Sequence, residues 1–552
     1  MKKMILLTGI FAFILFSCEE HDWVWVETTP ESPGVCQVET ETCSIHGETR
    51  GTRTNHHWGN WVTTTLATEE NDGLETRTCS NCLKTETQTI PKIGFETRKF
   101  YAQSFKDGSF YQLDAELLAK GTYCNVWAEK GSGVTKATAD KVKNEYDSNV
   151  YTKMINAFGI NNNAFNFADE LADINSAEDG KLIILLLDIR DNYQAGGNAS
   201  AVGGYFLWSD LFTSEPNSNG RAMIYIDTSP GIPGEAASNM TLAHEMQHLV
   251  NEVTSQTLRL EGSAYNAMDL WIDEGLSCAA EWVYSGAHPQ NRWGWYHNNG
   301  NGTNIKSTID KGNNFYVWGN RTENPYAEID DYATAYLFFQ WLRLQSNNGS
   351  GIYKDIIGSV NSNYLAVTTA ASSKINASYS DWGSLLRDWL AANYIYDATN
   401  RYGYKNDLPI SNNGKLGKHL LTTGTTASLY PGEGVFSNIN AAYVTDNPSK
   451  PEDKPYIKYS ILTTAPGNNM AVGALLTYNV NPVNNDDGYF PSPEDGTVTG
   501  VASISVVDGR FVSPPVALSG PYWVSGGDVL RRNGSVGLPP AGVPRPSIRV
   551  AR

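Results

Sequence analysis

Basic residues are scarce in this 552-residue chain: 41 Lys and Arg against 59 Asp and Glu leave a formal net charge of −18. A phosphate-binding surface needs a clustered cationic excess, so nucleic acid is excluded as a partner. The acidic balance itself bears on solubility and not on fold. Long apolar runs are also missing. After Phe16 no stretch of about 18 apolar residues occurs, so nothing beyond the N-terminus is expected to span a membrane. The chain shows neither a glycine-rich phosphate loop nor a G-x-S-x-G nucleophile elbow. Histidine is rare, with 9 in all, and two of them stand four residues apart at positions 244 and 248.

What is present begins with a leader. Lys2 and Lys3 precede a short apolar run from Met4 to Phe16, too short for a mature spanning helix. The run ends at Leu15-Phe16-Ser17-Cys18, followed by Glu19-Glu20. This resembles a bacterial lipoprotein lipobox, with Phe16 where small residues are usual. The resemblance implies a signal peptide over 1–17, acylation of Cys18, and an extracytoplasmic chain anchored in the lipid bilayer of an outer membrane or cell surface. A plain signal peptide cut near Ser17 is the alternative. The acidic, Thr- and Pro-containing segment 18–35 then reads as a tether.

A chain of this length exceeds what one core usually holds, so several domains are expected. Residues 36–92 contain four of the seven cysteines, Cys36, Cys43, Cys79 and Cys82, with Trp58 and Trp61 but almost no Leu, Ile or Met. So little apolar material requires a staple. Cys43-x-x-His46 with Cys79-x-x-Cys82 has the spacing of a structural zinc site, whereas Cys36–Cys43 and Cys79–Cys82 disulfides suit an oxidising compartment. The segment resembles short Cys/Trp modules repeated in bacterial surface proteins, which implies a spacing or attachment role. Beyond it, residues 93–405 read as an α+β domain. Strands are expected at Tyr123–Ala128, Lys181–Ile189, Gly204–Trp208 and Ala222–Ile226, a helix over Ala137–Phe158, and further helices later. Residues 406–552 read as β-rich, with runs at Ala441–Val444, Lys458–Leu462, Met470–Tyr478 and Ser503–Val507, and end in a Pro-rich tail.

The chemistry centres on His244-Glu245-Met246-Gln247-His248. Histidines one helical turn apart share a face and can reach one metal ion. Leu242, Met246, Leu249 and Val253 form an apolar stripe of helical period nearly opposite them, so one face is expected to pack and the other to face a cleft. With so few histidines, H-E-x-x-H arises by chance in roughly one such chain in a hundred. A catalytic zinc takes three protein ligands and leaves a position for water. The third is assigned to Glu274 in Trp271-Ile-Asp273-Glu274-Gly275, on a second helix where Trp271, Glu274, Cys278 and Glu281 share a stripe. Glu245 is then the general base, and Glu281 and Asp273 are candidates to accept the histidines' other N–H groups.

The H-E-M-Q-H-L-V and W-I-D-E-G-L-S segments resemble the metal motifs of gluzincin metallopeptidases, and within them those of the hyicolysin-like family. The likeness runs from roughly Tyr123 to Tyr353. It implies a zincin-like fold, a twisted sheet with an active-site helix and a helical second half, and an endopeptidase acting on proteins or peptides. Where some gluzincins carry an Asp four residues after the glutamate ligand, this chain has Cys278. Tyr332, expected just ahead of a further helix, resembles the transition-state tyrosine of some gluzincins, and His297 is the other candidate donor. Cys124 and Cys278 either pair or remain buried thiols. A surface adhesion or scaffold lipoprotein with a vestigial peptidase fold is the competing reading, against which an intact Glu245 argues.

Overall fold

The computed structural model describes residues 21–163, 165–193, 201–261, 264–296, 309, 327–409, 420–421, 426–429, 431–440, 457–463, 472–480, 502–507 and 510–512. The leader, Cys18, His297, the expected strand at Ala441–Val444 and the C-terminal tail lie outside the described residues. The chain divides into two compact units, one ending at Glu96 and one beginning at Thr97.

The first unit is two small antiparallel sheets. One pairs β1 (Trp23–Thr29), β2 (Gln37–Cys43) and β3 (Thr49–Asn55) in that order; the other pairs β4 (Val62–Thr65), β5 (Gly73–Thr78) and β6 (Thr85–Ile90). The tether expected over 18–35 therefore contains a strand. Val24, Trp25, Val26 and Thr28 favour a pleated backbone, and the acidity of the segment did not reveal it. The two sheets repeat one design. Cys43 N–H donates to Glu48 O at 2.7 Å and Cys79 N–H to Lys84 O at 2.8 Å. Gly47 N–H donates to Cys43 O at 2.8 Å and Leu83 N–H to Cys79 O at 3.0 Å. Ser44 N–H reaches Asp22 O at 2.7 Å, and Ser80 N–H reaches His57 O at 2.9 Å. Gly47 and Leu83 even share a left-handed backbone, at φ 75° and 61°, which costs a leucine about 1 kcal/mol or more.

The expected pairing of the cysteines is corrected by this geometry. Cys36 and Cys43 sit at opposite ends of β2, about 24 Å apart at strand rise, so they cannot form a disulfide. The donors regroup as Cys36, His56, Cys79 and Cys82 in one cluster and His21, Cys43 and His46 in another. The set Cys43, His46, Cys79 and Cys82 does not assemble, because the two Cys-x-x-Cys/His turns belong to separate copies of the repeat.

The second unit opens with β7 (Thr97–Gln103), β8 (Phe110–Lys120) and β9 (Cys124–Glu129), then α1 (Lys136–Glu145) and α2 (Tyr151–Ala157). The single helix expected over 137–158 is interrupted by a π-turn at Tyr146–Val150. Tyr146 is buried there and its hydroxyl lies 3.3 Å from Met246 Sδ. A hairpin of β10 (Asn161–Asn162) and β11 (Phe165–Asn166) leads into α3 (Phe167–Ile174), followed by β12 (Leu182–Leu187), β13 (Gly204–Phe206) and β14 (Met223–Asp227). One six-stranded sheet results, in the order β13-β14-β12-β9-β8-β7. β12 runs parallel to both neighbours and every residue of Leu182–Leu187 is buried, which explains its unbroken apolar run. β13 pairs antiparallel at the end of the order.

The metal-motif helix α4 (Ala236–Leu258) follows, then the short strands β15 (Leu260–Glu261) and β16 (Ala264–Tyr265). Next come α5 (Leu270–Ser285), α6 (Ala327–Gln345), α7 (Gly351–Ile357), α8 (Tyr364–Lys374) and α9 (Trp382–Ile395). Among the described residues the C-terminal part adds β17 (Leu420–Leu421), β18 (Thr426–Leu429), β19 (Gly434–Asn440), β20 (Ile457–Thr463), β21 (Val472–Asn479), β22 (Ala502–Val507) and β23 (Arg510–Val512). The Phe436 ring of β19 stacks on Tyr394 of α9 at 5.1 Å. The fold is thus mixed α+β. No described helix is long and apolar enough to cross a membrane.

Candidate metal centre

α4 is buried nearly all round, with sixteen of its 23 residues buried, the two histidines and Glu245 among them. α5 covers the polar face, and its polar side chains meet several of the groups they cover. Gly275 serves the packing of α5 against α6. A Cβ there would stand 2.3 Å from Phe339 Cε2 and 3.4 Å from Ala335 Cβ, so the missing side chain lets α6 close on α5. Trp271 packs among Phe338, Phe339 and Trp382, with ring centroids 5.8–6.1 Å away. That packing fixes the first turn of α5 and hence Glu274.

His244, His248 and Glu274 converge, each offering an atom within 4.8 Å of the others. His244 Nε2 lies 3.4 Å and His248 Nε2 3.6 Å from the same oxygen, Glu274 Oε2. Two ligands each about 2.1 Å from a tetrahedral zinc stand about 3.4 Å apart, so the spacing fits that ion. His248 Nε2 is buried without a hydrogen-bond partner, an arrangement that is costly unless a cation occupies the gap. Four carboxylates, Glu245, Asp273, Glu274 and Glu281, are buried around the two imidazoles, and this excess of negative charge points the same way.

The outer nitrogens are held from α5. His248 Nδ1 lies 2.7 Å from Asp273 Oδ2 and 3.0 Å from Ser277 Oγ. Asn251 Nδ2 donates to the other Asp273 oxygen, and Ser277 Oγ donates to Gln247. His244 Nδ1 lies 3.0 Å from Glu281 Oε1. Both candidate partners thus lie against a histidine. Glu281 reaches His244 from two turns beyond Glu274, and Cys278 lies in the same cluster. Arg292, from the π-turn Gln290–Gly294, grips Glu281 at 2.5 Å and lies 4.7 Å from the centre of the Tyr332 ring. Sequence reasoning missed Arg292. It stands beyond the end of α5 and no motif marks it.

His244, Cys278 and Glu281 also cluster, but on the Nδ1 side of the ring. The Arg292 guanidinium already neutralises Glu281 there, which opposes a second cation.

Electrostatics follow from burial. Burial raises Glu245 to about 7 against the pull of both histidines, with Glu274 and Asp273 adding to the rise. Burial lowers His248, but Asp273 and Glu274 outweigh it and lift the imidazolium to about 10. Burial raises Glu274, yet both histidines hold it well below the usual carboxylate range. Glu245 Oε2 is buried with no hydrogen-bond partner. Tyr332 stands inside α6 and not ahead of it, its ring centroid 6.3 Å from that of His244. Cys124 and Cys278 are separate free thiols, both buried.

No known family profile matches the chain. It is similar to the neutral metalloprotease ShpI of Staphylococcus hyicus, at 28% identity over 316 residues. The match covers 56% of this chain and 65% of that protein's length.

Proposed function

We propose that the chain is an extracytoplasmic zinc endopeptidase that cleaves proteins or peptides, anchored to the bilayer through acylated Cys18. The observation that carries the catalytic reading is the meeting of both Nε2 atoms with Glu274 Oε2 at 3.4 and 3.6 Å, beside a buried Glu245. His244, His248 and Glu274 would hold the zinc. When bound, that ion lowers the pKa of water and polarises the scissile carbonyl.

The remaining work belongs to the chain's own side chains. Glu245, raised to about 7 by burial, accepts the water proton and passes it to the leaving amine. Asp273 and Glu281 hold the two imidazoles in the tautomer that presents Nε2 inward. The Tyr332 hydroxyl, whose ring lies against the Arg292 cation, donates to the carbonyl oxygen as it gains charge. β13 supplies a strand edge. A Cβ on Gly204 would stand 2.7 Å from Thr241 Cγ2, so this strand lies directly on α4 one turn before His244. Extended peptides pair with such edges.

Glu245→Gln tests the reading. The amide cannot take the proton, while the three ligands remain. Casein hydrolysis should fall by roughly 10²–10⁴ or more in kcat, with zinc content near one equivalent at this centre. Substantial remaining turnover would refute the assignment.

A further inference from the structure

The first unit has no hydrophobic core. Among its described residues from 21 to 96, the buried ones are Cys36, Cys43, Gly73 and Cys79. Its tryptophans lie on the surface under arginines: Arg50 lies 4.2 Å from the Trp23 ring centre, Arg53 4.4 Å from Trp25, and Arg77 4.6 Å from Trp61. Such contacts contribute about 0.5–1 kcal/mol each when exposed, too little to offset the ordering of two sheets. A unit of this kind needs a cross-link where its few buried groups meet.

That meeting point joins the two repeats. Cys36, at the start of β2 in the first repeat, comes to His56, Cys79 and Cys82 of the second, and the four donor atoms lie within 4.8 Å of one another. Cys36 Sγ and Cys79 Sγ are 3.3 Å apart, and Cys82 Sγ and His56 Nδ1 are also 3.3 Å apart. A disulfide would bring the first two sulfurs to about 2.05 Å. Ligands of a tetrahedral zinc with Zn–S near 2.3 Å stand about 3.7 Å apart, and the observed separations are far closer to that value. The Cys79–Cys82 turn directs its backbone N–H groups at sulfur.

We propose that Cys36, His56, Cys79 and Cys82 bind one structural zinc ion that staples the two N-terminal repeats together. Each thiol gives its proton to solvent on binding, and no oxidation is involved. Three thiolates and one neutral imidazole fill the tetrahedron, leaving no position for water, so this ion is not catalytic. The site is independent of the peptidase assignment, since none of its donors belongs to that centre.

The test uses the full chain, purified without reductant or added metal. Cys82→Ser should lose one equivalent of zinc, and the same equivalent should be lost in a background where Glu274→Gln has already emptied the catalytic centre. Cobalt substitution should give sulfur-to-cobalt charge-transfer absorption that weakens strongly in Cys36→Ser. His56→Cys should retain the metal with a stronger sulfur band, which guards against a variant that merely unfolds. An unchanged zinc count in Cys82→Ser would overturn the proposal, as would a Cys36–Cys79 disulfide-linked peptide recovered from the untreated protein by mass spectrometry. Failure here leaves hydrolysis by the catalytic centre intact, so the two readings fall separately.

Discussion

Glu274 and Glu281 lie seven residues apart on one face of α5, and exchanging each for glutamine separates a ligand from a support. Glu274 Oε2 faces both inner nitrogens at 3.4 and 3.6 Å, whereas Glu281 meets the histidine pair at the outer nitrogen of His244, at 3.0 Å. Structural zinc sites are worth about 10–16 kcal/mol in all. One of three ligands then accounts for roughly 4 kcal/mol, so Glu274→Gln should weaken zinc by about three orders of magnitude. Glu281→Gln removes charge behind His244 but leaves an acceptor, and partners of this kind are worth about 10–100-fold in metal affinity. Alanine would be the wrong change at Glu281. It would leave Arg292, whose side chain is only 14% exposed, with neither an anion nor an acceptor, at a cost of about 3–5 kcal/mol to the fold. Zinc titrated against a competing chelator at one fixed pH, with circular dichroism to confirm folding, reads both numbers. Glu281→Gln losing the metal while Glu274→Gln keeps it would refute the assignment.

Other measurements probe the surroundings. Tyr332→Phe should lower kcat by about 10²–10³ with KM and zinc content little changed, as expected for a lost donor to the developing oxyanion; an unchanged kcat would make Tyr332 a rim aromatic. Burial raises Asp269, which begins α5, to about 7, against the Trp271 N–H that lowers it. The native state therefore keeps a proton that the unfolded chain releases near pH 4, so this group's contribution is full below pH 4 and is lost as pH rises through about 7. Asp269→Asn should flatten the decline in stability between pH 4.5 and 7.5 by up to about 3 kcal/mol, and an unaltered pH profile in urea unfolding would contradict this. Cys18→Ser should release the protein from membranes with hydrolysis retained, and unchanged detergent partitioning would refute the anchor.

How far the sequence carried the site depends on how local each signal was. The helical stripe of Leu242, Met246, Leu249 and Val253 and the one-turn separation of His244 and His248 need only helix geometry, and α4 has both. Asp273 and Glu281 were legible as carboxylates near Glu274, but which histidine each supports is decided by the packing of α5 on α4. Periodicity gives a face and not its occupant, so the contact of Gly275 with α6 was not legible. Arg292 reaches Glu281 across a helix end, where no pattern extends. In the N-terminal unit the signal was present and unused: His21 to Cys43 and His56 to Cys79 span 22 and 23 residues, a repeat that separates the donors as the structure does. β1 stayed hidden beneath an acidic composition.

Arg292 has a consequence for the centre as a whole. Its guanidinium holds Glu281, which steadies His244, and at the same time lies against the ring of Tyr332, the group placed to meet a substrate oxygen. Behind His248, Asp273 is held by the neutral Asn251 and has a charged group, Arg259, only as an electrostatic neighbour. On the proposed reading, substrate that draws on Tyr332 would change the share of positive charge left for Glu281, and with it the electron density at His244. Metal affinity and substrate affinity would then be linked quantities, and the linkage would be reciprocal: whatever factor substrate imposes on the metal, the metal imposes on substrate.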